Sequence, residues 1–358
     1  MPKWHLGLTL NAHLSIGVAI MASLHFLQMR GTGRIRMALS LALALQIAGC
    51  ASAVDVRHIE AEDSFIVVQK LQSSLYALAA AVAGDAIYIT GGNGPLAVRA
   101  AIDRYDPRAA NQITVADSPI PRRDHTAETV DGTIYIIGGA TPIPAAGGFR
   151  LFPSMAVESY NAATGELRSV AFMHVGRRRP GSAAYGGKIY VMGGSSMTIH
   201  PEGRVKFLRS MEIYDPKLDT WTRGPDMPTA RALSAVAWEG KIYAIGGFNG
   251  HALRTFEVYD IATAEWASLP DMPIPLRAHS CVVLDGKIYS FGDYRYFRMV
   301  ARYDIDSGEW TVLDSNYKRA RYTAAVVWGE KILVIGGNTS ELPSSGRRTV
   351  QLFTPPKD

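Results

Sequence analysis

Five arginines recur at one position of a repeated pattern, and their type and spacing suit the binding of an anion. Each lies 15 residues before the first glycine of a glycine phrase that recurs along the chain. A guanidinium keeps its charge and presents planar N–H donors that match carboxylate, sulfate or phosphate. The predicted ligand-binding residues are Arg123, Arg178, Arg231, Arg277 and Arg321, with Tyr76 at the equivalent first position. The pattern predicts a site for an anionic ligand or an acidic peptide.

A structural role for the same arginines stays open. Glu158, Glu212 and Glu257 each lie two residues before a recurrent tyrosine. Buried arginines and glutamates usually occur as pairs, because an isolated charge is costly to remove from water. Some of the arginines could therefore belong to the scaffold and pair with these glutamates.

The glycine phrase defines the elements that would position the arginines. It follows a short apolar stretch six times, as IYITGG, IYIIGG, IYVMGG, IYAIGG, IYSFGD and ILVIGG, at intervals of 44 to 55 residues. Ile, Val and Tyr favour a buried strand, and paired glycines allow a sharp turn or a close backbone approach. A period of this length with β-rich phrases is typical of a propeller.

A second phrase completes each repeat. Tyr214, Tyr259 and Tyr303 are each followed seven residues later by a tryptophan, with turn-forming residues between them. This predicts a hairpin, so each repeat holds four strands. The glycine pair, the Tyr-Asp and the Trp resemble the Kelch repeat over about residues 64 to 354. The resemblance implies an all-β, six-bladed propeller from a family that includes partner-binding modules and a few enzymes.

The two ends of the repeat region complement each other. Phe65 lies where the other repeats have the tryptophan, and Phe353 lies at the tyrosine position of a last repeat that has no fourth strand of its own. An N-terminal strand at 64–70 is therefore expected to complete the last blade. Pairing both ends of the chain leaves no open sheet edge. The propeller is assigned to residues 64–358.

Long insertions distinguish repeats two and three. They read ATPIPAAGGFRLFPSM and SSMTIHPEGRVKFLRSM. Antiparallel strand order puts these loops on the same face as the recurrent arginines, and insertions often form binding loops. Their aromatic and basic residues are Phe149, Arg150, Phe152, Arg204, Phe207 and Arg209. Surface variation without a function would explain them equally well.

Histidines offer a weaker signal for acid–base chemistry. His125 and His279 are each two residues after their arginine, and this repetition predicts a structural role on the inner strand. His200 and Glu202, in the third-repeat loop, could act as an acid and a base. Nothing in the sequence shows that they converge.

Residues 1–49 are expected to form an export leader. Arg30, Arg34 and Arg36 precede an apolar stretch, and Ile47 to Cys50 resemble a bacterial lipobox, in which Cys50 is lipidated. Ala51-Ser52-Ala53 offers an ordinary cleavage site instead. Residues 6–28 are a possible spanning segment or precede a true start at Met29 or Met37. A polar tether at 50–63 would lead to a propeller in the periplasm or on the outer membrane of a Gram-negative bacterium.

Charge and cysteine content argue against other classes. The chain has 37 basic and 32 acidic residues, but four of the basic ones lie in the leader, which leaves 33 against 32. A nucleic-acid-binding domain would keep a basic excess. Apart from Cys50, only Cys281 is present, so no disulfide framework or cysteine-rich metal motif exists. No metal or cofactor is expected.

Two functions fit these observations. The first is an exported propeller that binds an anionic small molecule, a glycan or a protein partner, with the membrane reached only through a lipid anchor. The second follows from a similarity to exported bacterial Kelch propellers of the sialic-acid mutarotase type, which implies a sugar isomerase. Mutarotation needs a general acid or base and a carboxylate clamp. No catalytic residue of that family can be placed on this sequence.

Overall fold

Six β-sheets surround a central channel in the computed structural model, which describes residues 57–61, 64–145, 147–197, 204–340 and 345–356. These residues form 29 β-strands and no α-helix. The innermost strands of neighbouring blades contact one another around the channel, and the sixth contacts the first. The described residues thus form a closed six-bladed propeller, as the repeats predict.

The strands before the first blade are β1 (Arg57–Ala61) and β2 (Phe65–Leu75). Blade 1 contains β3 (Ala79–Ala83), β4 (Ala86–Thr90), β5 (Ala101–Asp106) and β6 (Asn111–Asp117). Blade 2 and its hairpin contain β7 (Thr126–Val130), β8 (Thr133–Ile137), β9 (Ala140–Ala145), β10 (Gly148–Pro153), β11 (Val157–Asn161) and β12 (Leu167–Ser169). Blade 3 and its hairpin contain β13 (Gly181–Tyr185), β14 (Lys188–Met192), β15 (Ser195–Met197), β16 (Val205–Phe207), β17 (Met211–Asp215) and β18 (Thr220–Gly224).

Blade 4 contains β19 (Ala232–Trp238), β20 (Lys241–Phe248), β21 (Phe256–Asp260) and β22 (Glu265–Leu269). Blade 5 contains β23 (Ser280–Leu284), β24 (Lys287–Phe291), β25 (Val300–Asp304) and β26 (Glu309–Ser315). Blade 6 contains β27 (Ala324–Trp328), β28 (Lys331–Ile335) and β29 (Arg347–Phe353). Its fourth strand is β2 from the N-terminal side, in the order β2-β29-β28-β27.

The glycine pairs fasten each blade to the next. Gly91 has a φ of 53°, and a Cβ on it would lie 2.5 Å from the backbone oxygen of Arg122 in the entry to blade 2. Gly92 then donates its N–H to that same oxygen at 2.9 Å. A side chain at the first position would separate the two blades, so only glycine allows this hydrogen bond.

The hydrophobic core lies between blades as well as within them. The second strand of each blade is buried on both faces, as β4 and β28 show, which explains the continuous apolar phrase before each glycine pair. Tyr88 of blade 1 packs on Tyr160 of blade 2 with ring centroids 5.6 Å apart. Interlocked side chains of neighbouring blades therefore hold the strands that line the channel.

The strand β1 adds an element that the sequence analysis had placed in the tether. It pairs in parallel with β26, from Arg57 opposite Thr311 to Ala61 opposite Ser315. Ala61 is buried and Ile59 packs against the same apolar cluster. Blade 5 thereby has five strands, and the outer edge of β26 is covered.

Candidate functional site

The loops that enter five of the six innermost strands form an open ring of four backbone hydrogen bonds at one mouth of the channel. Asp124 donates its N–H to Ala77 O at 2.9 Å, and Arg179 donates to Asp124 O at 2.7 Å. Ala77 donates to Tyr322 O, and Tyr322 donates to Ala278 O, both at 2.8 Å. All five residues have a left-handed φ between 53° and 60°. This shared turn brings one residue of each of five blades to the mouth.

Most of the predicted arginines lie directly beside this ring. Arg123 and Arg178 form backbone bridges with Ala140 and Ser195, where β9 and β15 begin. Tyr76 and Arg321 occupy the same position in blades 1 and 6, with Asn93 and Asn338 as their partners. Arg277 lies at the corresponding position of blade 5, where Tyr294 donates its N–H to Arg277 O at 3.2 Å. The structure therefore brings together Tyr76 and four of the five arginines.

The prediction for Arg231 is corrected. Its side chain has no exposed surface, and its Nη1 lies 2.5 Å from Glu257 Oε2 inside blade 4. In the pairing of β19 with β20, the single residue between Ala232 and Ser234 lies opposite two residues of β20. The entry to blade 4 is therefore one residue shorter and has no residue with a left-handed φ. Counting 15 residues back from Gly246 consequently reaches the residue before the mouth position. Ala232, not Arg231, lines the mouth.

Arg231 belongs to a second set of arginines, which the sequence analysis did not single out. Arg122 pairs with Glu158, and Arg177 Nη2 lies 2.8 Å from Glu212 Oε1, each inside its own blade. All of these side chains are almost completely buried. The recurrent glutamates are thus structural, and their partner is the residue just before the mouth position. In blades 2 and 3 the buried arginine directly precedes the mouth arginine, and this Arg-Arg pair is the sequence signal that indicates the second set.

Aromatic rings hold the mouth arginines in place. The guanidinium carbon of Arg277 lies 3.7 Å from the ring centroid of Tyr294 and 4.8 Å from that of Phe248. Arg321 also stacks on Tyr294, at 3.7 Å. Stacking occupies the flat face of a guanidinium and leaves its N–H donors directed outward in the plane. The aromatic contacts therefore preorganise Arg277, which is partly exposed, for a hydrogen-bonding partner. Arg321, in contrast, is buried, and its Nε donates to Asn338 Oδ1 at 3.2 Å, so the structure does not present it to a ligand as the sequence predicts.

Three arginines share one carboxylate at the opposite side of the ring. The Nε atoms of Arg123, Arg178 and Arg179 lie 3.2, 2.7 and 2.9 Å from the Asp124 oxygens. Burial alone would raise the pKa of Asp124, but the charges of Arg179, Arg178 and Arg123 outweigh it and hold that pKa well below its usual range. Arg179, which the sequence analysis missed, lies one position beyond the recurrent arginine.

Positive charge is in excess at the mouth. The arginines there are Arg123, Arg178, Arg179, Arg277 and Arg321, and the carboxylates are Asp124 and Asp293. Asp293 is buried and accepts backbone N–H bonds from Arg277 at 2.8 Å and Arg295 at 2.6 Å. Among the described residues around the mouth, five arginines accompany these two carboxylates, and two of the five, Arg179 and Arg277, line the cavity itself. An anionic group is favoured at this position.

A cavity of about 250 Å³ continues from the mouth into the channel. Arg179, Arg277 and Tyr322 line its upper part, and Glu128 and Ser182 lie on the innermost strands below. Glu128 Oε1 accepts a hydrogen bond from Ser182 Oγ at 2.5 Å. The site is therefore a pocket that extends from the mouth into the channel.

The long insertions form two hairpins beside the mouth. β9 pairs with β10, β15 pairs with β16, and the two hairpins contact each other. Phe149 and Val205 are about three-fifths exposed on them. Phe207 packs edge-on against Phe248, which in turn stacks on Arg277. The hairpins therefore share a face with the arginines, as the strand order predicts, and add an apolar surface to it.

The histidines on the inner strands are buried. His125 Nε2 lies 2.8 Å from Thr90 Oγ1 of blade 1. Burial lowers the pKa of His125 to about 3 and that of His279 to about 4, so both are neutral at physiological pH. This agrees with the structural role predicted for them. His200 and Glu202 lie outside the residues that the structure describes, so their role stays a prediction.

The thiol of Cys281 lies in the lining of the cavity and is held in its protonated form. Its Sγ lies 3.1 Å from Ser290 Oγ, and burial raises the pKa of its thiol to about 12. Within the described ranges no three His, Cys, Asp or Glu side chains lie close enough to hold a metal ion. Cys50 and the leader lie outside those ranges. Across the described residues, no helix has the length and apolarity needed to span a bilayer.

Comparison with known proteins identifies the repeat family. The KLHDC2/KLHL20/DRC7 Kelch-repeats domain matches residues 77–293. Kelch-like protein 25 of Rattus norvegicus is 33% identical over 262 residues, which are 71% of this chain and 43% of that protein. Kelch repeat and BTB domain-containing protein 12 of Homo sapiens is 31% identical over 178 residues, 46% of this chain and 28% of that protein. The matches thus span less than half of either relative. With the family match, the closed six-bladed ring and the glycine-pair repeats, the chain belongs to the Kelch-repeat propeller family.

Proposed function

We propose that this propeller is a protein-binding module whose arginine-lined mouth receives a carboxylate of its partner. Kelch propellers are typically protein-binding modules, and the excess of arginines over carboxylates at the mouth supplies the chemistry. That excess is the observation on which the proposal depends. Charge-assisted hydrogen bonds from guanidinium to carboxylate are among the strongest polar contacts in proteins.

The geometry favours a short acidic segment over a flat surface. Among the described residues, no carboxylate forms an ion pair with the Arg277 guanidinium, and Asp293 instead accepts backbone N–H groups. Phe149 and Val205 of the adjacent hairpins are exposed within the same face. A partner with an acidic side chain flanked by apolar residues would bind both the Arg277 guanidinium and the apolar surface of the hairpins. Aromatic and arginine side chains are also the types that contribute most at interfaces.

The experiment is a binding assay with labelled peptides. Fluorescent heptapeptides with one or two Asp or Glu on a neutral, partly apolar background are titrated against the chain, together with the matched Asn or Gln peptides. Arg277→Ala should weaken binding of the acidic peptides about 10- to 150-fold, the loss of one charge-assisted bond. Arg168, exposed on β12 and paired with Glu166, gives the control Arg168→Ala, which should bind like the parent.

Two results would contradict the proposal. Acidic and amide peptides could bind equally well, which would show that the mouth does not recognise charge. Arg277→Ala could also bind as tightly as Arg168→Ala. An anionic small molecule or an acidic glycan that binds with the same dependence on Arg277 would keep the site and change the partner.

Export remains part of the proposal for the whole chain. The basic leader and the lipobox-like stretch at Cys50 support a lipid-anchored protein in the periplasm or outer membrane. The sugar-mutarotase alternative needs a general acid or base, for which His200 and Glu202 are examples that lie outside the described residues. It stays a hypothesis, and anomer exchange of sialic acid followed by NMR tests it.

A further inference from the structure

Glu128 is an acid without a cationic partner inside the channel. It lies on β7, lines the cavity below the mouth, and accepts a hydrogen bond from Ser182 Oγ at 2.5 Å. Ser182 also hydrogen-bonds Thr126. Among the described residues, no lysine or arginine forms an ion pair with Glu128. Its carboxyl group is hydrogen-bonded by the Ser182 hydroxyl and the backbone N–H of Ala184.

Glu128 is only partly buried, and the fully buried acids of the propeller differ from it in their partners. All of them except Asp293 are paired with arginine inside the protein, which compensates for their removal from water. The pairs are Asp103 with Arg99, Glu158 with Arg122, Glu212 with Arg177, and Glu257 with Arg231. Asp124 has three arginines, and Asp293 is held by backbone N–H groups. The missing countercharge at Glu128 is therefore particular to the cavity.

Burial controls the protonation of this carboxyl group. It raises the pKa of Glu128 to about 7, while Ser182 and the backbone N–H of Ala184 oppose that change. No charged side chain contributes to the shift. The charged and titratable groups that line the same cavity are Asp124, Arg179, Arg277, His125, His279, Cys281 and Tyr322. A cation that reached Glu128 would favour the ionised form.

The cavity thus has opposite charges at its two ends. Arg179 and Arg277 lie toward the mouth, and Glu128 is four residues further along the chain than Asp124. An extended strand rises about 3.3 Å per residue, so the carboxyl lies up to about 13 Å deeper. The walls between are small side chains, among them Ala80, Ala127, Ala235 and Ala325. These walls would contact a slender methylene chain.

We propose that this cavity binds a small zwitterion, an ω-amino acid whose carboxylate meets Arg179 and Arg277 and whose ammonium meets Glu128. This inference rests on the proposed function in one respect only, since both place a carboxylate at the arginines of the mouth. The ammonium supplies the countercharge that the protein lacks, and the carboxylate occupies the excess of guanidinium groups. The depth of the cavity favours several methylene groups between the two charges over an α-amino acid.

A series of ligands of increasing length tests this by calorimetry. Glycine, β-alanine, γ-aminobutyrate, δ-aminovalerate and ε-aminocaproate are titrated into the folded chain, with butyrate, hexanoate and butylamine as ligands that carry one charge. One of the longer zwitterions should bind at least about tenfold more tightly than the carboxylate of equal length, one charge-assisted bond being the difference. Its affinity should rise about tenfold between pH 6 and pH 8, as Glu128 ionises.

Two variants locate the ammonium. Glu128→Gln keeps the shape of the side chain and should abolish the advantage of the zwitterion while leaving carboxylate binding unchanged. Asp131→Asn makes the same change of charge at the exposed turn after the same strand, and should bind like the parent. A melting curve of each variant confirms that it is folded.

The outcomes separate this inference from the proposed function. Equal binding of ω-amino acids and simple carboxylates in the parent would overturn the inference, and so would a full advantage in Glu128→Gln. Absence of binding by the whole series would overturn it as well. None of these results bears on the acidic peptides, whose dependence on Arg277 decides the proposed function by itself.

Discussion

Phe65 and Phe353, from opposite ends of the propeller sequence, lie with their ring centroids 4.6 Å apart. They are opposite each other in the β2–β29 pairing, as Tyr214 and Trp221 are in blade 3. The side chain of Asn316 bonds both the N–H and the carbonyl of Phe65, at 2.9 and 2.8 Å. Phe65 thus joins the two ends of the propeller sequence through the β2–β29 pairing and an aromatic cluster that also includes Phe291 and Tyr317.

Phe65→Ala should lower the free energy of unfolding by about 3–5 kcal/mol, as for other buried aromatic side chains. Urea denaturation followed by tryptophan fluorescence measures the change. Ile66, on the same strand but more than half exposed, provides the control Ile66→Ala, for which a much smaller loss is expected. Equal losses for the two variants would show that β2 does not close the ring through Phe65.

Arg231→Ala should destabilise the protein, whereas Arg277→Ala should mainly affect binding. Removing Arg231 leaves Glu257 buried without its cation, and breaking a buried pair on one side costs about 3–5 kcal/mol. Arg277 is partly exposed and forms no ion pair with any carboxylate of the described residues. Denaturation curves of both variants, beside their peptide affinities, give the comparison. A stable Arg231→Ala that no longer binds acidic peptides would contradict the assignment of Arg231 to the scaffold.

Stability should fall on acidification because of His279. Its pKa is about 4 in the folded state and 6.5 in the unfolded chain, so the unfolded chain binds more protons at intermediate pH. The contribution of His279 is present above pH 6.5 and is lost as the pH falls toward 4, with at most about 3 kcal/mol involved. Melting temperatures of the parent and His279→Gln from pH 7.5 to pH 4 measure it.

His279→Gln should lose less stability than the parent between pH 7.5 and pH 4. Glu128 acts in the opposite direction, since its folded pKa of about 7 exceeds the usual 4.5. Because Glu128 is present in both proteins, it cancels in their difference. Parallel pH profiles for parent and variant would rule out a titrating His279.

Cys50→Ser should release the chain from the membrane fraction if Cys50 carries a lipid. The buried methylene groups of an acyl chain stabilise membrane attachment by about 0.8 kcal/mol each. Fractionation of cells that express the full chain, with mass spectrometry of the mature N-terminus, measures the result. Ser52→Ala is the matched control and should leave attachment unchanged. Continued membrane attachment of Cys50→Ser, with residues 6–28 retained, would indicate a spanning anchor.

The closed ring of six blades was determined by the sequence alone. The spacing of the glycine phrases and the Tyr-to-Trp interval report local requirements, such as the close approach at Gly91 and the pairing of Tyr259 with Trp266. Each requirement arises within one blade or between two neighbours, so it repeats in the chain. The pairing of Phe65 with Phe353 was predictable for the same reason, since each fills the gap that the other leaves.

The composition of the site was decided only by the tertiary structure. A single missing residue in the entry to blade 4 moves Arg231 from the mouth into the core, and a left-handed turn brings Arg179 to Asp124. The parallel pairing of β1 with β26 carried no repeat signal. Glu128 looks like any other polar residue of a strand in the sequence. Its lack of a cation appears only when neighbouring blades surround it, because burial and countercharge depend on residues far away in the chain.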